Sequence, residues 1–231
     1  GSLEALQKYD LAVIAKPTET FSDSEKQVLD QFIINGGKTI WLIDQVSMEM
    51  DSLYNEYGSN LAFPRDLNLN DMFFKYGFGI NPDLVKDEQG SPIKLATGEQ
   101  GSATQYQEFN WKFAPQVYPI SKHPIVKNLG GIKLDFANGI DTLKNGIKKT
   151  VLLQSSQYSK KIGTPVEINL KIVEEETSPN HYINTGNIPL SVLLEGSFHS
   201  MFENRVLPFE QKSFQTIGKT NKMIVISDGD L

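Results

Sequence analysis

Leu11-Ala12-Val13-Ile14-Ala15 and Thr39-Ile40-Trp41-Leu42-Ile43-Asp44 are two apolar runs separated by a capped helical segment and a Gly36-Gly37 stop. That order is a βαβ unit. Apolar runs of this length are expected of strands covered on both faces, and a right-handed crossover makes such strands parallel. Between them, Ser22-Asp23-Ser24-Glu25 has capping-box spacing and puts two acidic residues in the first turn, where the helix dipole favours them. Val28, Leu29, Phe32 and Ile33 recur as one buried stripe, and Asn35-Gly36-Gly37 supplies a left-handed stop. The spacing predicts a helix from Asp23 to Ile34.

Outward from this unit the pattern loosens. Gln45 to Arg65 is polar, with the acidic residues Glu49, Asp51 and Glu56, and reads as a long loop with partial helix. Asp66-Leu67-Asn68-Leu69-Asn70-Asp71 offers N-cap candidates for a second helix carrying Leu69, Met72, Phe73 and Tyr76 and stopped by Gly77 and Gly79. Ile80 to Leu95 is expected to hold one or two short strands, and Ala96 to Thr104, rich in Gly, Ser, Thr and Gln, reads as a mobile loop or the edge of an insertion. The second half is β-rich, with strand candidates at Thr150–Leu153, Val166–Ile172, Leu190–Leu194 and Met223–Ile226. Val166–Ile172 alternates apolar and polar residues, as a half-exposed edge strand does, whereas Met223–Ile226 reads as a buried strand returning to the sheet centre. The expected fold is α/β: a three-layer sandwich with a largely parallel, flavodoxin/Rossmann-like central sheet, forming a single domain over 1–231 with a β-rich insertion at about 80–135.

The 231 residues, 39% of them hydrophobic, suffice for an ordinary buried core. A formal charge of -6 repels phosphate backbones, and no basic cluster exceeds a pair such as Lys148-Lys149 or Lys160-Lys161, so nucleic acid is not expected as a partner. The absence of cysteine removes disulfides, thiolate nucleophiles and zinc-thiolate sites, while leaving the compartment open. Gly1-Ser2 has no initiator Met and reads as a cloning scar on a domain excised from a longer, membrane-anchored protein. No apolar window reaches the roughly 18 residues that span a bilayer, so membrane attachment is expected only through segments outside this chain.

Open α/β sheets bind ligands at the carboxyl ends of their strands, and those ends carry Lys16-Pro17, Asp44 and Ser227-Asp228-Gly229-Asp230. Lys16, Asp44, Asp228 and Asp230 are therefore the candidate ligand-binding residues. Three such carboxylates repel unless a cation, a Lys such as Lys16 or backbone N–H groups compensate, and backbone turn hydrogen bonds to Asp228 and Asp230 are expected to supply most of this, with a metal as the minority outcome. Asp66 to Asn70 imitates an EF-hand opening, but Asp71 stands where Gly is required and Gly77 where Glu should close the shell. His123, His181 and His199 have no metal-ligand spacing. No phosphate-binding loop or nucleophile elbow is present: Gly77-Phe78-Gly79 opens no helix, and Gly196-Ser197-Phe198 lacks the frame. Glu174-Glu175-Glu176 reads as a solvated charge run, and Trp41, Tyr106, Phe109, Trp111 and Tyr118 could line a solute pocket. No catalytic residue and no cofactor is expected.

Leu29-Asp30-Gln31-Phe32-Ile33-Ile34-Asn35-Gly36-Gly37-Lys38, Trp41 to Asp44, Asp66 to Asp71, Leu193 to Phe198 with Asn204-Arg205, and the closing Lys222 to Asp230 resemble the gliding-motility ABC transporter auxiliary proteins (GldG) of the Bacteroidetes. The resemblance spans nearly the whole chain. It implies a membrane-anchored protein whose periplasmic domain works with an ABC permease and ATPase at the cell envelope. It also implies a fold similar to glutamine amidotransferase-like and GIFT domains. An amidotransferase needs a nucleophilic Cys at a strand-to-helix turn, which this chain lacks, so a non-catalytic interaction or ligand-sensing role is expected, with a small-solute or carbohydrate receptor domain and a degenerate amidotransferase- or hydrolase-like enzyme as the alternatives.

Overall fold

The structure is a computed structural model and describes residues 3–97 and 105–231. A short helix α1 (Leu3–Leu6) leads into strand β1 (Leu11–Ala15), helix α2 (Asp23–Ile34) and strand β2 (Lys38–Leu42). Next come β3 (Val46–Ser47), β4 (Ser59–Pro64), helix α3 (Asn70–Tyr76), β5 (Phe78–Ile80), β6 (Asp83–Asp87) and β7 (Gly90–Thr97). The chain then runs through β8 (Gln105–Val117), β9 (Ile132–Lys133), β10 (Ile140–Thr142) and β11 (Lys148–Gln154). It ends with β12 (Ser159–Gly163), β13 (Val166–Asn169), β14 (Pro189–His199) and β15 (Ile217–Ile226).

The main sheet has the order β1-β2-β15-β14-β11. β1 runs parallel to β2, with Leu11 opposite Lys38, and β2 runs parallel to β15, with Thr39 opposite Met223. The three apolar runs are thus adjacent and parallel, with β15 in the middle of the sheet. The architecture around them is not the expected sandwich. β14 and β11 are antiparallel additions, and the other strands form four small antiparallel sheets, β10-β5, β12-β6, β13-β4-β3 and β7-β8-β9. The protein is β-rich, and a largely parallel sheet flanked by helices on both sides is not what it builds.

The cause lies in what covers each face. Phe32, Ile33 and Ile34 of α2 and Met72, Phe73 and Tyr76 of α3 pack in one core with Trp41, Ile43, Val192, Leu194, Met223 and Val225, so both helices sit on the same face. On the opposite face a second core covers the β11, β14 and β15 part of the sheet, where Leu152, Leu190 and Leu193 meet Val85, Val117, Val126 and Leu134, and half-buried Ile224 and Ile226 of β15 pack against them. The β1 end is bare: Leu11 is 45% and Val13 55% exposed. A five-residue apolar run does not itself tell a doubly covered strand from an edge strand with one open face.

Local signals fare better for helices than for strands. The capping box forms as spaced, with Ser22 Oγ accepting the Glu25 N–H at 3.3 Å and Glu25 Oε2 accepting the Ser22 N–H at 2.9 Å. α3 ends at Gly77 (φ 94), but its N-cap is Leu69, without a side-chain cap, and not one of the Asp or Asn candidates. Gln45 to Arg65 contains β3 and β4 as well as a 3-10 turn at Met50–Leu53. Their partners include β13, about a hundred residues on, so nothing local marks them. Val166–Ile172 is strand only to Asn169, whose side chain accepts the Lys171 N–H at 2.9 Å and starts a 3-10 turn. Ala96 and Thr97 finish β7, while residues 98–104 of the expected loop, like Gly1-Ser2, lie outside the described residues.

Candidate functional site

β1 stops at Lys16, whose backbone turns left-handed (φ 44) while its N–H still donates to the Leu42 carbonyl at 2.9 Å. That turn carries the side chain across the carboxyl ends of β2 and β15. Lys16 Nζ lies 2.6 and 2.7 Å from the two carboxylate oxygens of Asp230, 2.9 Å from Glu49 Oε1 and 4.0 Å from Asp44 Oδ2. Asp44 Oδ1 accepts the Gly229 N–H at 2.7 Å, clamping the end of β2 to the end of β15. Gly229 is required here by crowding: a Cβ would fall 2.8 Å from both Asp44 Oδ2 and Lys16 Cγ.

Asp228, 1% exposed, is turned elsewhere. Its Oδ2 accepts the Asp135 N–H at 2.7 Å and its Oδ1 the Asp230 N–H at 2.8 Å. The four expected residues therefore divide: Lys16, Asp44 and Asp230 converge, and Asp228 braces the turn. Burial pushes the Asp228 carboxyl up to about 7, with the charges of Asp44 and Asp230 adding to it and the two N–H groups opposing. Asp44 is also raised by burial, against the pull of the Gly229 N–H and Lys16. Partial burial lowers the Lys16 pKa, but its bonds to Asp230 and Glu49 outweigh that and hold the amine protonated well above its ordinary range. A permanently protonated amine is a poor nucleophile or base, and its chemistry here is that of an internal cation. Oxygens of Asp44, Glu49 and Asp230 lie within 4.8 Å of one another around it.

Several partners were not legible in the sequence. Glu49 looked like one of three loop acids. Asn138, fully buried, accepts the Gln45 N–H at 2.7 Å, donates to the Asp83 carbonyl at 2.6 Å and bonds the Ser227 carbonyl through its own N–H at 3.1 Å, so it ties the strand ends to the small sheets. In Phe136-Ala137-Asn138-Gly139 it reads only as a turn residue.

Other candidates resolve differently from their sequence reading. Trp41 and Trp111 are fully buried in separate cores, and Tyr106 and Tyr118 are largely exposed, so the aromatic set does not converge on one pocket. Glu175 is not simply solvated: Lys86, a buried lysine, bonds it at 2.6 Å, and buried Lys112 bonds its carbonyl at 2.6 Å and Glu88 at 3.1 Å. His199 pairs with Glu203 at 3.3 Å, and His123 Nδ1 accepts the Ile125 N–H. A cleft of about 730 Å³ opens elsewhere, between α1, the start of α2 and residues 209–213. No helix among the described residues is long and apolar enough to cross a membrane.

No curated protein sequence matches the chain. Among solved structures it is similar to the mmIFT52 N-terminal domain, with a TM-score of 0.51 and 13% identity over 99% of this chain and 70% of that one, a likeness of fold alone. The family model for ABC transporter auxiliary components, described as an ABC-type uncharacterized transport system, matches residues 2–231, and the chain belongs to that family.

Proposed function

We propose that this chain is a non-catalytic, extracytoplasmic module of its ABC transport system, working beside the permease and ATPase by protein–protein interaction or ligand sensing at the cell envelope. The observation that carries the reading is the family match along the entire described length. The chemistry of the strand ends supports it. Lys16 is committed to Asp230 and Glu49, Asp44 to the Gly229 N–H, and Asp228 to two further N–H groups. These groups hold the sheet ends together. Affinity purification of the full-length protein from its native membrane should recover an ABC permease and ATPase, and recovery of neither would refute the assignment.

The finer reading is a gliding-motility system of the GldG type, with this chain as the periplasmic domain of an inner-membrane-anchored protein. It rests on the sequence stretches from Leu29 to Lys38 and from Lys222 to Asp230. In a gliding source organism, deletion of the gene should abolish surface spreading. Unaltered spreading would sink this finer reading while leaving the transporter assignment standing.

A further inference from the structure

A second cleft lies at the β11 edge of the main sheet, where Gln154 at the end of β11 stands opposite Pro189 at the start of β14. Its walls are two loops: residues 155–158, which turn from β11 into β12, and residues 183–187, which lead into β14. Ser156 fixes the first loop to buried Asp87, its N–H donating to Oδ2 at 2.7 Å and its hydroxyl to Oδ1 at 2.6 Å. The second loop is tied to the first, since the Asn187 N–H donates to the Ser156 carbonyl at 2.9 Å and the Thr185 hydroxyl to the Ser159 carbonyl at 2.8 Å. Gly186 lets the two backbones touch, because a Cβ there would fall 2.2 Å from the Gln157 carbonyl oxygen. The walls are therefore set before any ligand arrives. The cleft has a volume of about 480 Å³, within the roughly 300–1,000 Å³ of small-molecule sites.

We propose that this cleft binds a neutral sugar of one or two rings. None of the side chains that line it is charged, so a charged ligand would find no counter-charge there. The side-chain amides of Gln157 and Asn184 line it and have no hydrogen-bond partner among the described residues. Each amide carries an acceptor oxygen and two N–H donors, which suits a sugar hydroxyl that both donates and accepts. An apolar ligand would strip water from both amides and replace none of those bonds. Tyr158, 40% exposed, adds a ring whose flat apolar face takes the C–H side of a pyranose. Buried Tyr182 is already committed: Glu88 accepts its hydroxyl, and Lys160 Nζ lies 5.8 Å from its ring centroid. One stacking ring and two amides make a weak site. It is separate from the Lys16 cluster and does not depend on the transporter assignment.

Saturation-transfer NMR on the whole chain tests this with maltose, cellobiose, lactose and diacetylchitobiose as probes. At least one should bind, with a Kd on the order of 1 mM. Tyr158→Ala and Gln157→Ala should each weaken that binding about fivefold or more, the loss of one stacking face or one hydrogen bond. Asn184 has φ 61, so Asn184→Gly removes the amide while keeping the left-handed backbone, and should weaken binding to the same degree. All three side chains are exposed, and circular dichroism checks that the variants are folded. Glucuronate and glucosamine should bind no better than glucose. Failure of all four disaccharides to bind up to tens of millimolar, binding unchanged in Tyr158→Ala and Gln157→Ala, or a preference for the charged sugars would overturn the proposal.

Discussion

Lys16 Nζ lies 2.6 Å from Asp230 Oδ1, so the residue that ends β1 grips a residue beyond β15 that is 214 positions away in sequence. The contact closes the parallel part of the sheet at its carboxyl end. Without the amine, Asp44, Glu49 and Asp230 would face one another with no compensating cation. Lys16→Met should therefore lower stability by about 1–2 kcal/mol at low salt, and by less at high salt, where repulsion among the three carboxylates is screened. Urea unfolding at the two salt concentrations measures this. An equal loss at both would show that the charge plays no part.

Gly229 tests the same corner sterically. Gly229→Ala sets a methyl 2.8 Å from Asp44 Oδ2 and from Lys16 Cγ and should cost about 1–3 kcal/mol through forced displacement. Gly130→Ala, where a Cβ meets nothing within 4 Å, should stay within about 0.5 kcal/mol of wild type. Similar unfolding midpoints for the two variants would remove the case for a required glycine at 229.

How far the sequence carries the reader depends on the range of the interaction. α2 was legible to the residue because its cap, stripe and stop all lie within Ser22 to Gly37. The adjacency of β1, β2 and β15 followed from their apolar runs. The four small sheets were not legible, since pairs such as β4 with β13 join short strands far apart in the chain, and β3 spans only two residues. At the site, Lys16, Asp44 and Asp230 were found because strand ends can be read from a sequence. Glu49 and Asp135 were missed because their roles arise from loops folding back onto the sheet. The missing second helical layer could not be read from Leu11–Ala15 alone, where composition is the same whether one face is covered or two.

With Lys16 Nζ already seated among the three carboxylates, added calcium or magnesium has no favourable place to bind. The thermal unfolding midpoint should be unchanged by either ion. A rise in midpoint that disappears in Asp44→Asn would contradict this and make the strand ends a cation site.

Asp228 gives stability a defined pH dependence. Its carboxyl keeps its proton up to about pH 7 in the folded chain, against an ordinary value of 3.8. Between those values the folded state binds more protons than the unfolded one, so this group's contribution is fully present below 3.8 and is lost as the pH rises through 7. Its slope is at most ~1.4 kcal/mol per pH unit. Asp44 and Asp83 are raised in the same sense, so the informative quantity is the stability of wild type minus that of Asp228→Asn. That difference should fall as the pH is raised across the window and then level off. A flat or rising difference would mean that Asp228 is ionised throughout.

Asp30, fully buried on α2, is the acceptor that joins both helices to the end of β14. It takes the Tyr76 hydroxyl at 2.8 Å, the Ser200 hydroxyl at 2.6 Å, the Met201 N–H at 2.8 Å and the Gln31 side-chain amide at 3.1 Å. Burial raises its carboxyl pKa, and these four donors oppose the shift. Tyr76→Phe removes one donor and should cost about 1–2 kcal/mol. Asp30→Ala instead leaves several buried donors without an acceptor around a new void, and should cost about 3–5 kcal/mol. Because Tyr76 and Asp30 share one bond, the double variant should be less destabilised than the sum of the two losses. Urea unfolding of the three variants completes the cycle, and an Asp30→Ala no weaker than Tyr76→Phe would show that the network contributes little beyond a single hydrogen bond.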